Sequence, residues 1–262
     1  MAYATATYGI DLASQPERTA VCMVEWRPGE RAFVDCPGDH ADDADLLAQT
    51  ARASVTKVGI DAPFGWPNEF IEALNANRAA GGWGDWPTEF LRLRETDRAV
   101  RVATKLTPLS VSTDKIGVVA LRCAKLLAHH WGASGEPPDR TGSGRIVEVY
   151  PAAALRQWGL SPKDAAEDPG SYKGAGPLPR ARRQRLMTQL AGRSADWLEL
   201  TEKTVAVCTE SDDCLDALMC ALIARAVEIG RVLPITDQAR AADEGWIALP
   251  IRESIPDLSN GA

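Results

Sequence analysis

Acidic residues stand where several elements of this sequence begin or end, and their types and spacing point to chemistry. Asp11 closes a β-like run over 5–12, and Asp61 closes another over 57–61 (KVGID). Glu148 lies within the run 145–150 (RIVEVY), and Asp213 and Asp216 open a helical segment. Three residues apart on a helix puts those last two carboxylates on one face. They flank the stripe Leu215, Leu218, Met219, Leu222, Ile223 and Ala226, which marks the buried side of that helix. Taken singly, each acid has a structural reading. Asp11 and Asp61 are turn residues, Asp213 is a first-turn acid favoured by the helix dipole, and Glu148 is a partner for an arginine. Taken together they predict a cluster. Carboxylates ~4 Å apart repel by about 4 kcal/mol at an effective dielectric near 20, so a cluster calls for a shared proton or a cation. Hard oxygen ligands suit Mg²⁺ or Mn²⁺, and Asp11, Asp61, Asp213 and Asp216 are the candidate metal ligands.

Two basic segments accompany the acids. Arg92, Arg94, Arg98, Arg101 and Lys105 share one expected helix with Glu95 and Asp97. Lys173, Arg180, Arg182, Arg183 and Arg185 follow one another with no acid between them. Such runs are either solvated helix faces or phosphate contacts, which arginine makes bidentately. On the second reading Arg98, Arg101, Arg182, Arg183 and Arg185 would meet nucleic acid, with Trp66, Trp83 and Trp86 available to stack on bases or to anchor loops. The net charge of −7 repels a nucleic-acid backbone overall, so any such binding must come from local patches.

The elements that must position these residues can be read along the chain. Its 262 residues, 45% hydrophobic and 25% charged, are those of an ordinary globular protein. Strands are expected at 5–12, 19–26 and 31–36, the last two joined by the turn Arg27-Pro28-Gly29-Glu30. A helix over 43–53 and the strand 57–61 follow. The Pro-, Gly- and Trp-rich stretch 62–87 surrounds one helix at 68–80. Further helices are expected at 92–104, from Thr113 as N-cap to about 131, and from 152, 180–192 and 212–229. The loop 161–179 has no apolar pattern and is expected to be mobile without ligand. The six cysteines, at 22, 36, 123, 208, 214 and 220, show no metal-ligand spacing and are read as reduced, buried side chains. The first residues lack the features of a signal peptide, and no stretch approaches the ~20 apolar residues of a membrane span, so a cytoplasmic location is expected.

Six motifs occur in order: Tyr8-Gly9-Ile10-Asp11-Leu12-Ala13, Gly59-Ile60-Asp61-Ala62-Pro63-Phe64-Gly65-Trp66-Pro67, Arg94-Glu95-Thr96-Asp97-Arg98, Glu148-Val149-Tyr150-Pro151, Asp213-Cys214-Leu215-Asp216-Ala217-Leu218 and Glu244-Gly245-Trp246-Ile247. Together, over nearly the whole chain, they resemble a family of uncharacterised proteins described as predicted nucleases with a ribonuclease-H-like fold. Two of them are also similar to Holliday-junction resolvases, whose first-strand Asp matches Asp11 and whose final-helix D-x-x-D-A-L matches 213–218. Those enzymes have a Glu where this chain has Asp61, and they have no match for Glu148 or the Arg94-Asp97-Arg98 group. The resemblance implies one α/β domain over 1–262: a ribonuclease-H-like mixed five-stranded sheet with helices on both faces and a helical insertion at about 62–144. It implies a divalent-metal-dependent phosphodiester hydrolase acting on nucleic acid. Two ions would be held by Asp11, Asp61 and Asp213 or Asp216, with Arg94 or Arg98 neutralising the phosphate and Asp97 and Glu148 as further catalytic candidates. Two alternatives stand beside it. One is an actin-like phosphotransferase or ATPase, whose first strand also ends in Gly-x-Asp, although Leu12, Ala13 and Ser14 replace the glycine-rich turn such folds use. The other is a non-catalytic scaffold in which Arg94, Arg98 or Arg101 fills the acidic cluster in place of a metal.

Overall fold

The computed structural model describes residues 4–79, 83–132, 139–163 and 170–260. It is an α/β protein. In chain order its elements are β1 (Thr5–Asp11), β2 (Ala20–Trp26), β3 (Ala32–Asp39), α1 (Asp43–Thr50), β4 (Val55–Asp61), α2 (Asn68–Arg78), α3 (Thr88–Arg92), α4 (Glu95–Thr104), α5 (Ile116–Gly132), β5 (Ile146–Val149), α6 (Pro151–Gln157), α7 (Pro177–Ser194), β6 (Leu198–Glu199), α8 (Glu202–Glu210), α9 (Asp212–Glu228), α10 (Gln238–Glu244) and β7 (Ile247–Ala248). The strands form a mixed sheet in the order β6-β3-β2-β1-β4-β5-β7. The chain divides into two compact units, one of Met1–Asp61, Val149–Leu233 and Leu249–Ala262, the other of Ala62–Glu148 and Pro234–Ala248. Among the described residues no helix is long and apolar enough to cross a membrane.

The expected meander is present: β1 runs antiparallel to β2, and β2 antiparallel to β3. The sheet nevertheless has seven strands, not five. Of the two additional strands, each two residues long, β7 falls in Trp246-Ile247-Ala248-Leu249, which reads as strand-like in the sequence, whereas β6 is too short to carry an alternating pattern. Sheet position, not periodicity, makes β6 a strand: Leu198 and Glu199 pair in parallel with Ala32 and Phe33. The helix expected over 92–104 is α4, which ends at Thr104 as expected but begins at Glu95. Arg94 is extended, and Asp97 accepts its backbone N–H at 2.9 Å, which starts α4 at Glu95. Thr113 is not an N-cap. It sits in a turn where Asp114 accepts the Ser110 N–H at 2.8 Å and the Ser110 hydroxyl accepts the Thr113 N–H at 3.2 Å, so α5 begins at Ile116. The cysteines also differ from expectation. Cys22 and Cys36 are joined as a disulfide between β2 and β3, with Cα atoms 4.4 Å apart, while Cys123, Cys208, Cys214 and Cys220 are free and buried. An antiparallel pair brings together residues 14 apart in sequence, which spacing alone does not reveal.

In the first unit α9 is the core helix. From Cys214 to Ala226 every residue is buried, and all but Asp216 and Arg225 are apolar, as befits a helix enclosed on every side. It lies on β1, β2 and β4. Two glycines set its distance from the sheet. Gly9 and Gly59 are register partners in the parallel β1–β4 pair. A Cβ on Gly9 would run into the Ala217 carbonyl and the Ala221 amide, and one on Gly59 into the Cys220 carbonyl. Those obstacles are backbone, which cannot swing aside, so both positions require glycine.

The second unit is organised by a buried polar knot. Arg94 is 2% exposed. It donates through Nη2 to Glu148 Oε1 (2.7 Å) and Asp97 Oδ1 (3.0 Å), and through Nη1 to Glu148 Oε2 (2.9 Å) and the Glu244 carbonyl (3.2 Å). Its Nε donates to Asp97 Oδ2 at 3.2 Å, so every guanidinium N–H is used. Glu148 also accepts the Phe64 N–H at 2.9 Å. Glu244 caps two helices at once, accepting the N–H of Asn68 at 3.0 Å and of Glu95 at 2.7 Å. These are N–H groups that a helix start leaves without an internal partner. Gly245, at φ +89, must be small, because a Cβ there would come within 2.8 Å of Glu148 Oε2.

Candidate metal centre

Three of the candidate acids converge in the first unit. Asp11 and Asp61 end neighbouring parallel strands in register. Each lies two residues beyond its glycine, and strand side chains two apart share a face, here the face on which α9 rests. Asp216 sits in the second turn of α9, next to Ala217, whose carbonyl meets Gly9. The Ser211 side chain caps that helix by accepting the Cys214 N–H at 3.1 Å. One carboxylate oxygen from each of Asp11, Asp61 and Asp216 lies within 4.8 Å of the others. Asp216 is fully buried, while Asp11 and Asp61 are partly exposed. Three hard oxygen donors so placed suit a divalent cation such as Mg²⁺ or Mn²⁺.

Burial pushes the Asp11 carboxyl well above its usual value, and the charges of Asp216, Asp61 and Asp213 add to the rise against the opposing pull of Lys173. Burial also raises Asp216, against an ion pair from Lys173 and a hydrogen bond from Tyr172. Lys173 stands within the acid cluster: its ammonium pairs with Asp216 Oδ2, while the Tyr172 hydroxyl donates to Asp216 Oδ1 at 2.8 Å. Burial would lower the Lys173 ammonium, but Asp216, Asp11 and Asp61 outweigh it and raise it, so the lysine is charged. Cys220 beneath the site is held well above the usual thiol value by burial, then by Asp61, Asp11 and Asp216.

The segment that delivers Lys173 belongs to the loop expected to be mobile. Residues 164–169 of that loop lie outside the described residues, and the part that follows is pinned. Arg183, 2% exposed, donates to the carbonyls of Tyr172 (2.8 Å), Gly174 (2.9 Å), Thr209 (2.8 Å) and Glu210 (2.9 Å). Arg182 donates to the Ser171 carbonyl at 2.9 Å and Arg185 to the Pro162 carbonyl at 2.8 Å. These arginines support the backbone of the loop, in a run whose two readings were a solvated helix face and phosphate contact.

The other candidates have separate surroundings. Asp213 is half-buried and outside the three-acid group, although its charge acts on Asp11. Glu148, Arg94 and Asp97 are one another's partners in the second unit. Arg98 donates to the Leu93 carbonyl at 2.6 Å and to Glu95 at 2.6 Å, and Arg101 pairs with Glu89. The cation facing the acids is therefore Lys173, where a guanidinium of Arg94, Arg98 or Arg101 was the alternative. Trp66 and Trp86 are half-buried, with the Trp86 ring against Gly84, and Trp83 is 49% exposed. Sequence reasoning missed Lys173, Tyr172 and Arg183 as neighbours of the acids. The twin Gly-Ile-Asp of β1 and β4 is the signal that marks the platform, whereas nothing in Ser171-Tyr172-Lys173-Gly174 marks its partner.

A family model described as "Protein of unknown function (DUF429)" matches residues 9–241. No curated protein and no solved structure matches the chain.

Proposed function

The chain belongs to that family of unknown function, and from its own chemistry we propose that it is a divalent-metal-dependent phosphodiester hydrolase, a nuclease of ribonuclease-H-like type. The observation that carries this reading is the convergence of Asp11, Asp61 and Asp216 within 4.8 Å, from two parallel strand ends and one helix. Mg²⁺ or Mn²⁺, when bound, would supply Lewis acidity toward a phosphoryl oxygen and activate water for attack at phosphorus, breaking one P–O ester bond. Asp11, Asp61 and Asp216 would hold the ion. Tyr172 orients Asp216 through its 2.8 Å hydrogen bond, and the glycine platform fixes the spacing between helix and strands. Asp213 supplies a fourth negative charge nearby. The resemblance of the Asp11 and 213–218 motifs to those of resolvases agrees with this assignment. Nucleic acid is the proposed substrate class, reached without Arg182 and Arg183, which are buried against backbone carbonyls.

A second reading has an observation in its favour. Because the Lys173 ammonium lies against Asp216, the protein could be a scaffold that has replaced a metal by a lysine. Calorimetric titration with Mg²⁺ and Mn²⁺ separates the two, followed by a panel of bis(4-nitrophenyl) phosphate, single- and double-stranded DNA, branched DNA and RNA. The hydrolase reading expects saturable Mn²⁺ binding and cleavage, both abolished in Asp11→Asn with the circular dichroism spectrum unchanged. A wild-type protein that neither takes up Mn²⁺ nor cleaves any member of the panel leaves the scaffold reading in its place.

A further inference from the structure

Lys173 reaches the carboxylates from an unusual position. Its side chain is 46% exposed, whereas its partner Asp216 is 1% exposed, so a solvent-side stem carries an inward-pointing ammonium. The backbone on either side is fixed. Arg183 Nη1 holds the carbonyls of Tyr172 at 2.8 Å and Gly174 at 2.9 Å, and Asp212 Oδ2 accepts the Gly174 N–H at 3.3 Å. Tyr172 is itself tied to Asp216. The segment therefore does not need to leave for the site to open. The lysine's flexible four-carbon stem can rotate its head into water while the main chain stays in place. Its charge acts on Asp216, Asp11 and Asp61 together, the same three groups that would ligate a divalent ion. Both Asp216 oxygens are already engaged, Oδ2 by the Lys173 ammonium and Oδ1 by the Tyr172 hydroxyl, so a divalent ion that takes an Asp216 oxygen meets a positive charge already in contact with that carboxylate.

Resting on the metal reading above, we infer that Lys173 is a tethered counter-cation that occupies the carboxylate cluster at rest and must swing out for a divalent ion to enter. The tether makes the competition intramolecular, so it acts at every metal concentration and weakens apparent affinity by the fraction of molecules in which the lysine is seated. In this role Lys173 sets the metal concentration at which the site loads.

The test is Mn²⁺ calorimetry at one fixed pH on the full chain, comparing wild type with Lys173→Met, which keeps the stem and removes the charge. The expected result is tighter Mn²⁺ binding by the variant, about tenfold or more, from removal of one competing charge in a partly solvent-screened position. A parallel measurement needs only the wild type: acetylation of Lys173 by a limiting amine reagent, followed by mass spectrometry, should rise several-fold on Mn²⁺ saturation. If wild type is silent but Lys173→Met binds Mn²⁺, the lysine replaces the ion instead of yielding to it: the inference is overturned and the scaffold reading stands. If wild type binds Mn²⁺ while the variant binds no tighter and Lys173 labelling does not change, the inference is overturned and the metal reading survives. If neither protein binds Mn²⁺, both fall. Should the variant fail to fold, the wild-type labelling decides.

Discussion

Arg94 and Lys173 are both cations set against carboxylates, and their surroundings give them different work. Arg94 is 2% exposed with all its donors used on Asp97, Glu148 and the Glu244 carbonyl. Burial would lower its affinity for the proton, yet Asp97 and Glu148 outweigh that and raise it, so the charge is permanent. With every donor taken up inside its own unit, Arg94 ties α4 to Glu148 and to the Glu244 carbonyl. Arg94→Met leaves two buried carboxylates without their counter-charge and is expected to cost about 3–5 kcal/mol of stability. Arg101→Ala removes an exposed pair with Glu89, whose members are 42% and 47% exposed, and is expected to cost less than about 1 kcal/mol. Denaturant unfolding of both variants checks the contrast. Equal losses would mean that the knot is not the structural centre of its unit.

At the scale of elements, the site depends on how closely α9 approaches β1 and β4. Gly59 faces the Cys220 carbonyl, and Gly9 faces Ala217 and Ala221, so two missing side chains bring Asp216 down to Asp11 and Asp61. Gly59→Ala forces α9 or β4 to move. The expected cost is about 1–3 kcal/mol of overpacking, together with a clear loss of Mn²⁺ affinity as the carboxylates separate. Gly29→Ala is the control: its turn has φ +76 and nothing within 4 Å of a Cβ, so only local backbone strain is added. Melting curves and Mn²⁺ titrations of the two variants read this directly. Unchanged metal affinity in Gly59→Ala would show that the platform does not set the geometry of the acids.

For the molecule as a whole, the raised carboxyl of Asp11 links stability to pH. Below the usual value of 3.8, both folded and unfolded chains hold its proton and there is no effect. Above it, the unfolded chain gives up a proton that the folded protein retains, so this group's contribution to stability falls as pH climbs toward the raised folded value. Glu69, hydrogen-bonded by Arg240, is lowered and contributes with the opposite sign. Asp139, which burial pushes up but Thr141, Ser143 and Gly144 pull down further, does the same. The clean quantity is therefore the difference in melting temperature between Asp11→Asn and wild type. Without metal that difference is expected to grow in favour of the variant as pH rises from the ordinary carboxylate range. Saturating Mn²⁺ is expected to reverse its sign by stabilising only the wild type. A difference that stays flat with pH in chelator would mean that Asp11 is not under strain from burial and its neighbours.

Much of this arrangement was legible along the chain. The meander, the strand ending at Asp61 and the long apolar α9 follow from local signals: β-branched runs, a Pro-Gly turn, and helical spacing of Leu215, Leu218, Leu222 and Ile223. Such signals are carried by neighbours in sequence, and a strand or helix answers mainly to its own residues. The assignment of roles was not legible. Glu148, Arg94 and Asp97 have the types expected of catalysis, yet they close on one another, because a buried charge must find its counter-charge wherever the fold provides it. Lys173 comes to Asp216 across 43 residues, and Cys22 to Cys36 across 14. Which acid meets which cation, and which cysteines meet at all, depends on distances between elements far apart in sequence. Those distances are set by packing, down to the missing Cβ atoms of Gly9 and Gly59, and only the tertiary structure decides them.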